Sequence, residues 1–236
     1  ASGADEPFSV GLKGGEVLKA RRLVLAFGIT DQLPNLPGLA ERWGSSVIHC
    51  PYCHGYEYAD QTLGVLGMSP MPVHQAMLIA EWGPTTLLLN GQQEPDAATL
   101  AELDRRGVAI ERTPVVGLEG RGTSLEAAVL ADGRRFALDA LYTGAPTRFN
   151  APLADQLGCV ITDNPFGRIV STDADRLTSV PGVYAVGDIA RGGHAITPAL
   201  GDGMAAATAI HRSFVFPAGV PHAGAASASA SRGAAA

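Results

Sequence analysis

Short apolar runs that alternate with amphipathic segments dominate the hydrophobic pattern of the chain. Three runs are almost continuously apolar and lead into a glycine: Arg22–Gly28, Thr62–Leu66 and Val183–Val186. Such runs are typical of strands buried on both faces of a parallel sheet. Two segments, Val73–Trp82 and Ala97–Arg106, place apolar residues at helical spacing. Strands that alternate with helices predict an α/β nucleotide-binding architecture.

The same pattern predicts the other elements. A hairpin is expected at the N-terminal end around Lys13-Gly14-Gly15, and another around Asp132-Gly133. The proline-rich stretch Asp31–Pro37 is expected to be a crossover linker, and the Ala-, Ser- and Gly-rich end of the chain a disordered tail. The remaining predictions are strands at Val47–His49, Thr86–Leu89, Val108–Ile110, Leu125–Leu130 and Arg135–Leu138, helical turns at Leu39–Trp43 and Leu153–Leu157, and a long helix at Pro198–Phe214.

Composition narrows the classes of function. The chain has 236 residues, of which 46% are hydrophobic and 17% charged, which is enough for one large or two small domains with a buried core. A formal net charge of −6 disfavours non-specific binding to nucleic acid, because an acidic surface repels phosphate. No apolar run approaches the roughly 20 residues that span a bilayer, and no secretion signal is visible. We therefore expect no nucleic-acid or membrane partner and a cytoplasmic location.

Two of the three cysteines stand three positions apart, in Cys50-Pro51-Tyr52-Cys53-His54. This spacing has four interpretations: c-type haem attachment, a zinc site that adds His49 and His54, two cysteines buried by chance, and a redox-active dithiol. Haem attachment normally requires export, and four zinc ligands so close in sequence cannot easily surround a metal. The redox dithiol is favoured, because a helix start lowers the pKa of a thiol and His54 can transfer protons near neutral pH.

A second motif lies near the C-terminal end of the chain. The apolar run Val183–Val186 delivers Gly187, which permits close backbone approach by a ligand. Asp188 follows and can accept a hydrogen bond from a sugar-alcohol hydroxyl. The stretch Gly192–Ile196 then leads into a helix whose first N–H groups can stabilise negative charge on a flavin ring. The alternative is an ordinary strand–loop–helix corner in which Asp188 acts as a cap.

The order of these motifs resembles that of the thioredoxin-reductase-like flavoproteins. The motifs follow in order from Ala26-Phe27-Gly28 through the cysteine pair to Val183–Asp188 and Gly201–Ala206, and the resemblance covers about Phe8 to Phe214. The stretch Cys50–Glu57 is similar to the branch that includes the dithiol oxidases of gliotoxin and holomycin biosynthesis. His54 stands where ordinary thioredoxin reductases carry an aspartate.

The resemblance implies an FAD enzyme with two interleaved Rossmann-like domains, one of FAD-binding and one of NAD(P)-binding type, assembled as a homodimer. It implies that Cys53 exchanges electrons with the flavin, that Cys50 reacts with the external thiol, and that His54 transfers protons. No metal ligand is expected. The residues expected at the cofactor are Ala26, Phe27, Gly28, Gly187, Asp188, Ala195 and Ile196. The expected domains are an FAD-binding domain at 1–32 and 144–216, an NADPH-type domain with the cysteine pair at 33–143, and a disordered tail at 217–236.

Two departures from the family pattern change this picture. The strand, GxGxxG turn and helix that hold the FAD pyrophosphate are not found before Arg21, so we expect a front segment to be missing from this chain. The second glycine-rich turn is replaced by Gly67-Met68-Ser69-Pro70-Met71-Pro72, in which a serine replaces a glycine and two prolines remove N–H donors. No arginine for a 2′-phosphate lies in Asn90–Gln93. We expect a domain that has lost its nucleotide; a rearranged but working NADPH site is the alternative.

The loss of a nicotinamide donor would set the direction of electron flow. A substrate dithiol would reduce the Cys50–Cys53 disulfide through a mixed disulfide, and electrons would pass from Cys53 to FAD and then to O2. The predicted function is therefore oxidation of a small-molecule dithiol, in natural product biosynthesis, to an intramolecular disulfide. The alternatives are an NAD(P)H-dependent reductase acting on a thioredoxin-like protein and a non-catalytic remnant with a binding or assembly role.

Three further side chains are weaker candidates. Cys159 is expected to be a small buried residue, because free cysteine packs like a hydrophobic side chain. His74 is expected to be a structural residue on its helix, and His194 either a loop residue or a contact to cofactor or substrate.

Overall fold

A computed structural model of the chain describes residues 7–68 and 71–216. The expectations for Ser69, Pro70 and the tail at 217–236 lie outside the described residues. The chain divides into two compact units. The continuous unit is Asp31–Arg148, and the split unit combines the chain up to Thr30 with the chain from Phe149 onward.

The described elements are short strands, five α-helices and three 3-10 helices, the last at Ala40–Arg42, Tyr56–Tyr58 and Gly187–Ala190. The strands are β1 (Phe8–Gly11), β2 (Val17–Ala20), β3 (Leu23–Leu25), β4 (Ile29–Asp31), β5 (Val47–Ile48), β6 (Leu63–Leu66), β7 (Thr85–Leu88), β8 (Ala109–Glu111), β9 (Val115–Glu119), β10 (Ala127–Leu130), β11 (Arg135–Ala137), β12 (Ala140–Tyr142), β13 (Thr147–Phe149), β14 (Ile161–Asn164), β15 (Gly167–Val170) and β16 (Val183–Ala185). The helices are α1 (Pro51–His54), α2 (Pro72–Ile79), α3 (Ala97–Arg105), α4 (Leu153–Gln156) and α5 (Ile196–Val215).

A five-stranded sheet forms the centre of the continuous unit. Its strand order is β5-β12-β6-β7-β8, and every neighbouring pair is parallel. All residues of β6 and β7 are buried, as expected of a parallel sheet covered on both faces. The carboxyl ends of the parallel strands therefore share one edge, which is where α/β sheets bind their ligands.

Two apolar cores cover the faces of this sheet. On one face, Leu66, Leu88 and Leu141 pack against the antiparallel sheet β11-β10-β9. On the other face, the buried side chains of the sheet pack against helices α2 and α3, which contribute Ile79 and Leu103 to this core. The continuous unit is therefore a three-layer arrangement, with a small antiparallel sheet, the parallel sheet and two helices.

The split unit brings together strands from both ends of the chain. Strand β3 pairs in parallel with β16, with Leu25 opposite Ala185. The hairpins β1-β2 and β14-β15 are antiparallel. Strands β4 and β13, each of which crosses a boundary of the division into units, pair as a two-stranded ribbon. The core contains Val183, Ile189 and Cys159, the last only 7% exposed. The prediction that Cys159 is buried is confirmed.

The predicted α/β fold with parallel sheets is confirmed, and several elements differ from the expectations. The predicted strand at Leu125–Leu130 begins at Ala127. Asp31, expected in a linker, ends strand β4. The sequence pattern did not predict strands β9, β12, β14 and β15, which are only three to five residues long and leave little periodicity to detect. No helix in the described part of the chain combines the length and apolar character that crossing a bilayer requires.

Candidate active site

The cysteine pair lies on a short helix at the ligand-binding edge of the parallel sheet. Strand β5 ends at Ile48, and Cys50 follows as the N-cap of α1. Pro51 occupies the first turn, where its fixed φ favours a helix start and its missing N–H costs nothing. The N–H groups of Cys53 and His54 both donate to the carbonyl oxygen of Cys50, at 3.2 Å. The sequence therefore places both sulfurs on one turn of backbone.

Both cysteines are free thiols, with Cys50 half-buried and Cys53 exposed. A hydrogen bond to Cys50 raises the pKa of Cys53 to about 11, and burial and the negative charges of Cys50 and Glu57 act in the same direction. The expectation that the helix start lowers the pKa of the pair is therefore wrong for Cys53. In the reduced pair Cys53 holds its proton and donates it toward Cys50, which leaves Cys50 as the better nucleophile.

Neighbouring groups hold this segment in place. His54 Nδ1 lies 3.8 Å from a carboxylate oxygen of Glu57, which leaves Nε2 available for proton transfer. The Tyr58 hydroxyl donates to the carbonyl oxygen of Ser45 at 3.0 Å. The Gln75 side-chain amide of α2 donates to the carbonyl oxygen of His49 at 2.8 Å. Sequence reasoning did not single out Glu57, although its position three residues after His54 in a helical segment is the signal for such a pair.

Gly55 is required by the packing of helix α1 against Trp82. A Cβ atom at Gly55 would lie 2.5 Å from the indole ring of Trp82 and 2.4 Å from the carbonyl oxygen of Pro51. The backbone at Gly55 is right-handed helical, so space and not conformation demands glycine here. The contact anchors α1 on the core of the continuous unit.

Substitution Gly55→Ala should therefore destabilise the protein. Overpacking of this kind costs about 1–3 kcal/mol, because either the indole ring of Trp82 or helix α1 must move. The measurement is the urea unfolding midpoint. Gly203→Ala is the control, since a Cβ at that helical position meets nothing within 4 Å and should leave stability unchanged or raised. Equal midpoints for the two variants would contradict the packing role of Gly55.

A cavity of about 250 Å³ lies beside the cysteine helix. It is lined by Pro51, Tyr52, Leu78, Glu81 and Trp82. The Tyr52 ring is 77% exposed and stands between the two cysteines in sequence. The walls are apolar and aromatic, with one carboxylate, which suits a small amphipathic molecule.

The second set of expected site residues lies in the split unit. Gly28 and Gly187 follow the paired strands β3 and β16, and both adopt left-handed backbone, with φ of +67° and +72°. Asp188 is half-buried, and among the described residues nothing hydrogen-bonds its carboxylate. No side chain caps the first turn of α5, where Ala195 is the N-cap. Two turns and one helix start are thus available for a ligand with hydroxyl and anionic groups.

A buried carboxylate anchors the Gly187 turn of this second set. Asp202, 1% exposed, accepts hydrogen bonds from Arg191 Nε and Nη2 at 2.7 and 2.6 Å and from the Gly187 N–H at 3.2 Å. Arg176 Nε lies 3.0 Å from the same carboxylate. These contacts hold the pKa of Asp202 below its usual value, mainly through the hydrogen bonds of Arg191. Sequence reasoning did not single out Asp202, although it is the one acidic residue between positions 193 and 210.

The expected residues therefore form two groups. Cys50, Cys53 and His54 lie together in the continuous unit, and the seven expected cofactor residues lie in the split unit. Within the second group, the Phe27 ring packs edge-on against Phe149 with centroids 5.7 Å apart.

His74 is exposed on α2. Within the described ranges, no cluster of three or more His, Cys, Asp and Glu side chains could hold a metal.

The loop of His194 shows an aromatic contact. Its imidazole ring lies 6.5 Å from the Phe166 ring, centroid to centroid, in an edge-on arrangement. This contact positions the loop before α5.

Comparison with known proteins extends this picture. The chain is 32% identical to thioredoxin reductase tcpT of Claviceps purpurea over 78% of its own length and 59% of the relative. It is 27% identical to thioredoxin reductase sirT of Leptosphaeria maculans, over 80% and 62%. The chain thus spans about 60% of the length of these curated relatives.

Solved structures give the same grouping. The chain superposes on an oxidoreductase from Agrobacterium tumefaciens with a TM-score of 0.85 and 43% identity, over 91% of this chain and 72% of that one. It superposes on HlmI with a TM-score of 0.81 and 37% identity, over 89% and 65%. The family model described as pyridine nucleotide-disulphide oxidoreductase matches residues 4–210. The chain belongs to the pyridine nucleotide-disulphide oxidoreductase family and is thioredoxin-reductase-like.

Proposed function

We propose that the protein is an FAD-dependent oxidase of a small-molecule dithiol. The observation that carries the proposal is the pair of adjacent free thiols on an exposed helix turn, in which Cys53 keeps its proton and Cys50 is the reactive sulfur. Pro51 and Tyr52, which stand between the two cysteines in sequence, line a cavity of small-molecule size. The names of relatives support a thiol–disulfide enzyme.

FAD is the cofactor of this family, and the described residues of the split unit fit its flavin end. Left-handed Gly28 and Gly187 let backbone approach a flat ring without a Cβ in the way. Asp188 offers an acceptor for a ribityl hydroxyl, and the first turn of α5 offers N–H donors. Ala26, Phe27, Ala195 and Ile196 complete the proposed contacts. When bound, FAD supplies a two-electron acceptor that O2 can reoxidise.

The residues of the continuous unit suffice for the thiol chemistry. A substrate thiolate attacks Cys50 Sγ of the Cys50–Cys53 disulfide, so that a mixed disulfide forms and Cys53 leaves as a thiolate. Cys53 takes up a proton readily, because its pKa in the pair is about 11. The second substrate thiol then attacks the mixed disulfide, closes the substrate disulfide and releases Cys50. His54 accepts the proton of each substrate thiol in turn and passes the first to Cys53 and the second to Cys50, and Glu57 at 3.8 Å orients its ring.

Three features of the continuous unit favour electron entry from the dithiol side. Gly67 is committed to strand packing, because a Cβ there would lie 2.6 Å from the carbonyl oxygen of Leu89. Pro72 occupies the first turn of α2 and removes an N–H from that helix start. The Asn90 side chain, which follows β7, accepts a hydrogen bond from the Val115 N–H at 3.0 Å and so is engaged within the protein.

The arginines nearest in sequence to the Asn90–Gln93 segment are also occupied, each in an ion pair within the protein. Arg105 and Arg106 both pair with Glu102 at 2.7 Å, and Arg112 pairs with Glu94. These contacts argue against a nicotinamide nucleotide with a 2′-phosphate at the usual position.

The second candidate function is an NAD(P)H-dependent disulfide reductase, which the names of tcpT and sirT favour. Anaerobic mixing of the intact protein with NADPH, and separately with a dithiol, separates the two. Loss of flavin absorbance with the dithiol alone supports the oxidase. Rapid loss with NADPH contradicts it and supports the reductase. Purification of the intact protein without flavin contradicts both and indicates a non-catalytic remnant.

A homodimer and a cytoplasmic location complete the proposal. Sedimentation velocity tests the homodimer, and cell fractionation tests the location.

Substitution Tyr52→Ala should weaken dithiol binding more than turnover. Stacking of a substrate on an aromatic ring contributes about 0.5–1.5 kcal/mol, so KM should rise about three- to tenfold while kcat stays near its original value. Steady-state kinetics gives both parameters. Tyr56→Ala is the control, because Tyr56 is 84% exposed and does not line the cavity. A fall in kcat without a change in KM would contradict substrate binding at this cavity.

A further inference from the structure

Tyr142 lies directly beside the strand that delivers Cys50. Strands β5 and β12 are parallel neighbours, with Tyr142 opposite Ile48. The Thr143 N–H donates to the carbonyl oxygen of Ile48 at 2.9 Å. Ile48 precedes Cys50 by two residues, so the end of β12 is fixed against the base of helix α1.

The Tyr142 hydroxyl makes no hydrogen bond in the described part of the chain. Tyr142 is fully buried, and its hydroxyl finds no hydrogen-bond partner among the described groups. A buried hydroxyl without a partner destabilises a fold, and phenylalanine would fill the same space without that cost. A specific unsatisfied group of this kind points to a functional role or to a partner that is present only in part of the cycle.

The neighbours of Tyr142 indicate which partner this is. Its ring packs in the core under α2, together with Ile48, Tyr58 and Trp82. Burial, followed by the charges of Tyr58, Glu57 and Cys50, raises the pKa of Tyr142 to about 12. A tyrosine in this environment keeps its proton at physiological pH and can act as a donor. Cys50 is the neighbour that gains negative charge when the disulfide opens.

We infer that the Tyr142 hydroxyl stabilises the Cys50 thiolate from the buried side, through one water that bridges its O–H and the sulfur. The inference rests on the proposed thiol exchange at Cys50. The tyrosine keeps its proton throughout, and no covalent bond changes. Tyr142 thereby assists departure of Cys50 from the mixed disulfide, because a stabilised thiolate is a better leaving group.

Other titratable groups near Cys50 must be separated from this effect. On its own segment these are His49, Cys53, His54 and Glu57, and Tyr58 follows in the next turn. His74 is exposed on α2. None of them is altered by a change at Tyr142, so a matched substitution isolates the hydroxyl.

The test is the pH dependence of Cys50 alkylation in the reduced full-length chain without a dithiol substrate. Iodoacetamide labelling followed by peptide mass spectrometry gives the rate at Cys50 itself. In Tyr142→Phe the midpoint should move to higher pH, and a rise of about one pH unit would slow alkylation at neutral pH about tenfold. The thermal unfolding midpoint should be unchanged or higher, since the substitution removes an unsatisfied group. An unchanged or lower alkylation midpoint would overturn the inference.

Two control variants complete the design. Tyr58→Phe removes a hydroxyl that bonds the Ser45 carbonyl and should lower the unfolding midpoint while leaving the alkylation midpoint near that of the unsubstituted chain. Tyr56→Phe should change neither. If Tyr142→Phe does not fold, NMR of the unsubstituted chain with tyrosine labelled at Cζ replaces it: the Tyr142 signal should move on alkylation of Cys50, and an unmoved signal overturns the inference. Because no dithiol is present, a raised alkylation midpoint stands even if the intact protein fails to oxidise dithiols.

Discussion

Reduced protein treated with 5,5′-dithiobis(2-nitrobenzoate) should release two thionitrobenzoate ions per chain and retain none, whereas Cys53→Ser should release one and retain one. The reason is the geometry of the pair. Cys50 attacks the reagent and carries the adduct, and Cys53, hydrogen-bonded to Cys50, displaces it and closes the disulfide. Serine cannot perform the second step, so the adduct persists. Absorbance at 412 nm and intact-protein mass spectrometry give the two counts.

The matched variant Cys50→Ser should lose dithiol oxidation by roughly a thousandfold or more, because the sulfur that the substrate thiolate attacks is gone. Its flavin content should stay unchanged, since Cys50 lies in the continuous unit. The pKa of Cys53 should fall toward its ordinary value in this variant, because the hydrogen bond to the Cys50 sulfur, the main cause of the raised pKa, is lost together with the negative charge of Cys50. Retention of an adduct by the unsubstituted chain, or turnover by Cys50→Ser, would contradict the assignment of the two sulfurs.

Removal of the buried carboxylate should produce the largest loss of stability. Asp202→Ala leaves Arg176 and Arg191 facing a vacated site and frees the Gly187 N–H. Breaking a buried pair by removing one partner costs about 3–5 kcal/mol; since both arginines retain some exposure to solvent, we expect a loss at the lower end of that range. Urea unfolding measures it. Flavin content should fall as well, because the Gly187 turn loses its anchor.

The pH dependence of this loss has a definite sign. The pKa of Asp202 is lowered in the folded protein, so its contribution to stability is fully present above the unfolded value near 3.8 and is lost as pH falls through the folded value. The stability difference between the unsubstituted chain and Asp202→Ala should therefore stay constant from roughly pH 5 to roughly pH 8, and should shrink in stronger acid.

Asp155→Asn is the matched control for this prediction. Asp155 pairs with Arg168 at 2.6 Å, but both side chains are about half exposed. Exposed pairs contribute about 0–1 kcal/mol, so this variant should differ little from the unsubstituted chain. A loss of similar size in both variants would contradict the special role of the buried carboxylate.

The sequence alone predicted the helix start that carries the two cysteines, and the glycines at the strand ends, because both signals are local. The spacing of Cys50 and Cys53 and the proline after Cys50 suffice to predict a helix start. Likewise, Gly28 and Gly187 follow apolar runs, and the structure gives both left-handed backbone. The family itself was evident from the order of these motifs.

The features that the sequence did not reveal depend on contacts between distant segments. Tyr142 approaches Cys50 only because β12 pairs with β5, which lies far earlier in the chain. The pKa of Cys53 depends on a hydrogen bond between two side chains, which outweighs the local effect of the helix start. The short strands β9 and β12 are defined by their neighbours and not by a period of their own. Such effects require the tertiary fold.

Because the third cysteine is buried, a count of reactive thiols in the folded protein reports on Cys50 and Cys53 alone. Cys159 lies in the core of the split unit, and its sulfur contacts the Thr178 hydroxyl at 3.6 Å. Reagents that cannot enter the folded interior will therefore leave it unmodified. A thiol titration under native conditions therefore counts only Cys50 and Cys53. A second titration after denaturation also counts Cys159 and supplies the internal standard. The oxidation state of the Cys50–Cys53 pair can thus be followed without substitution of Cys159.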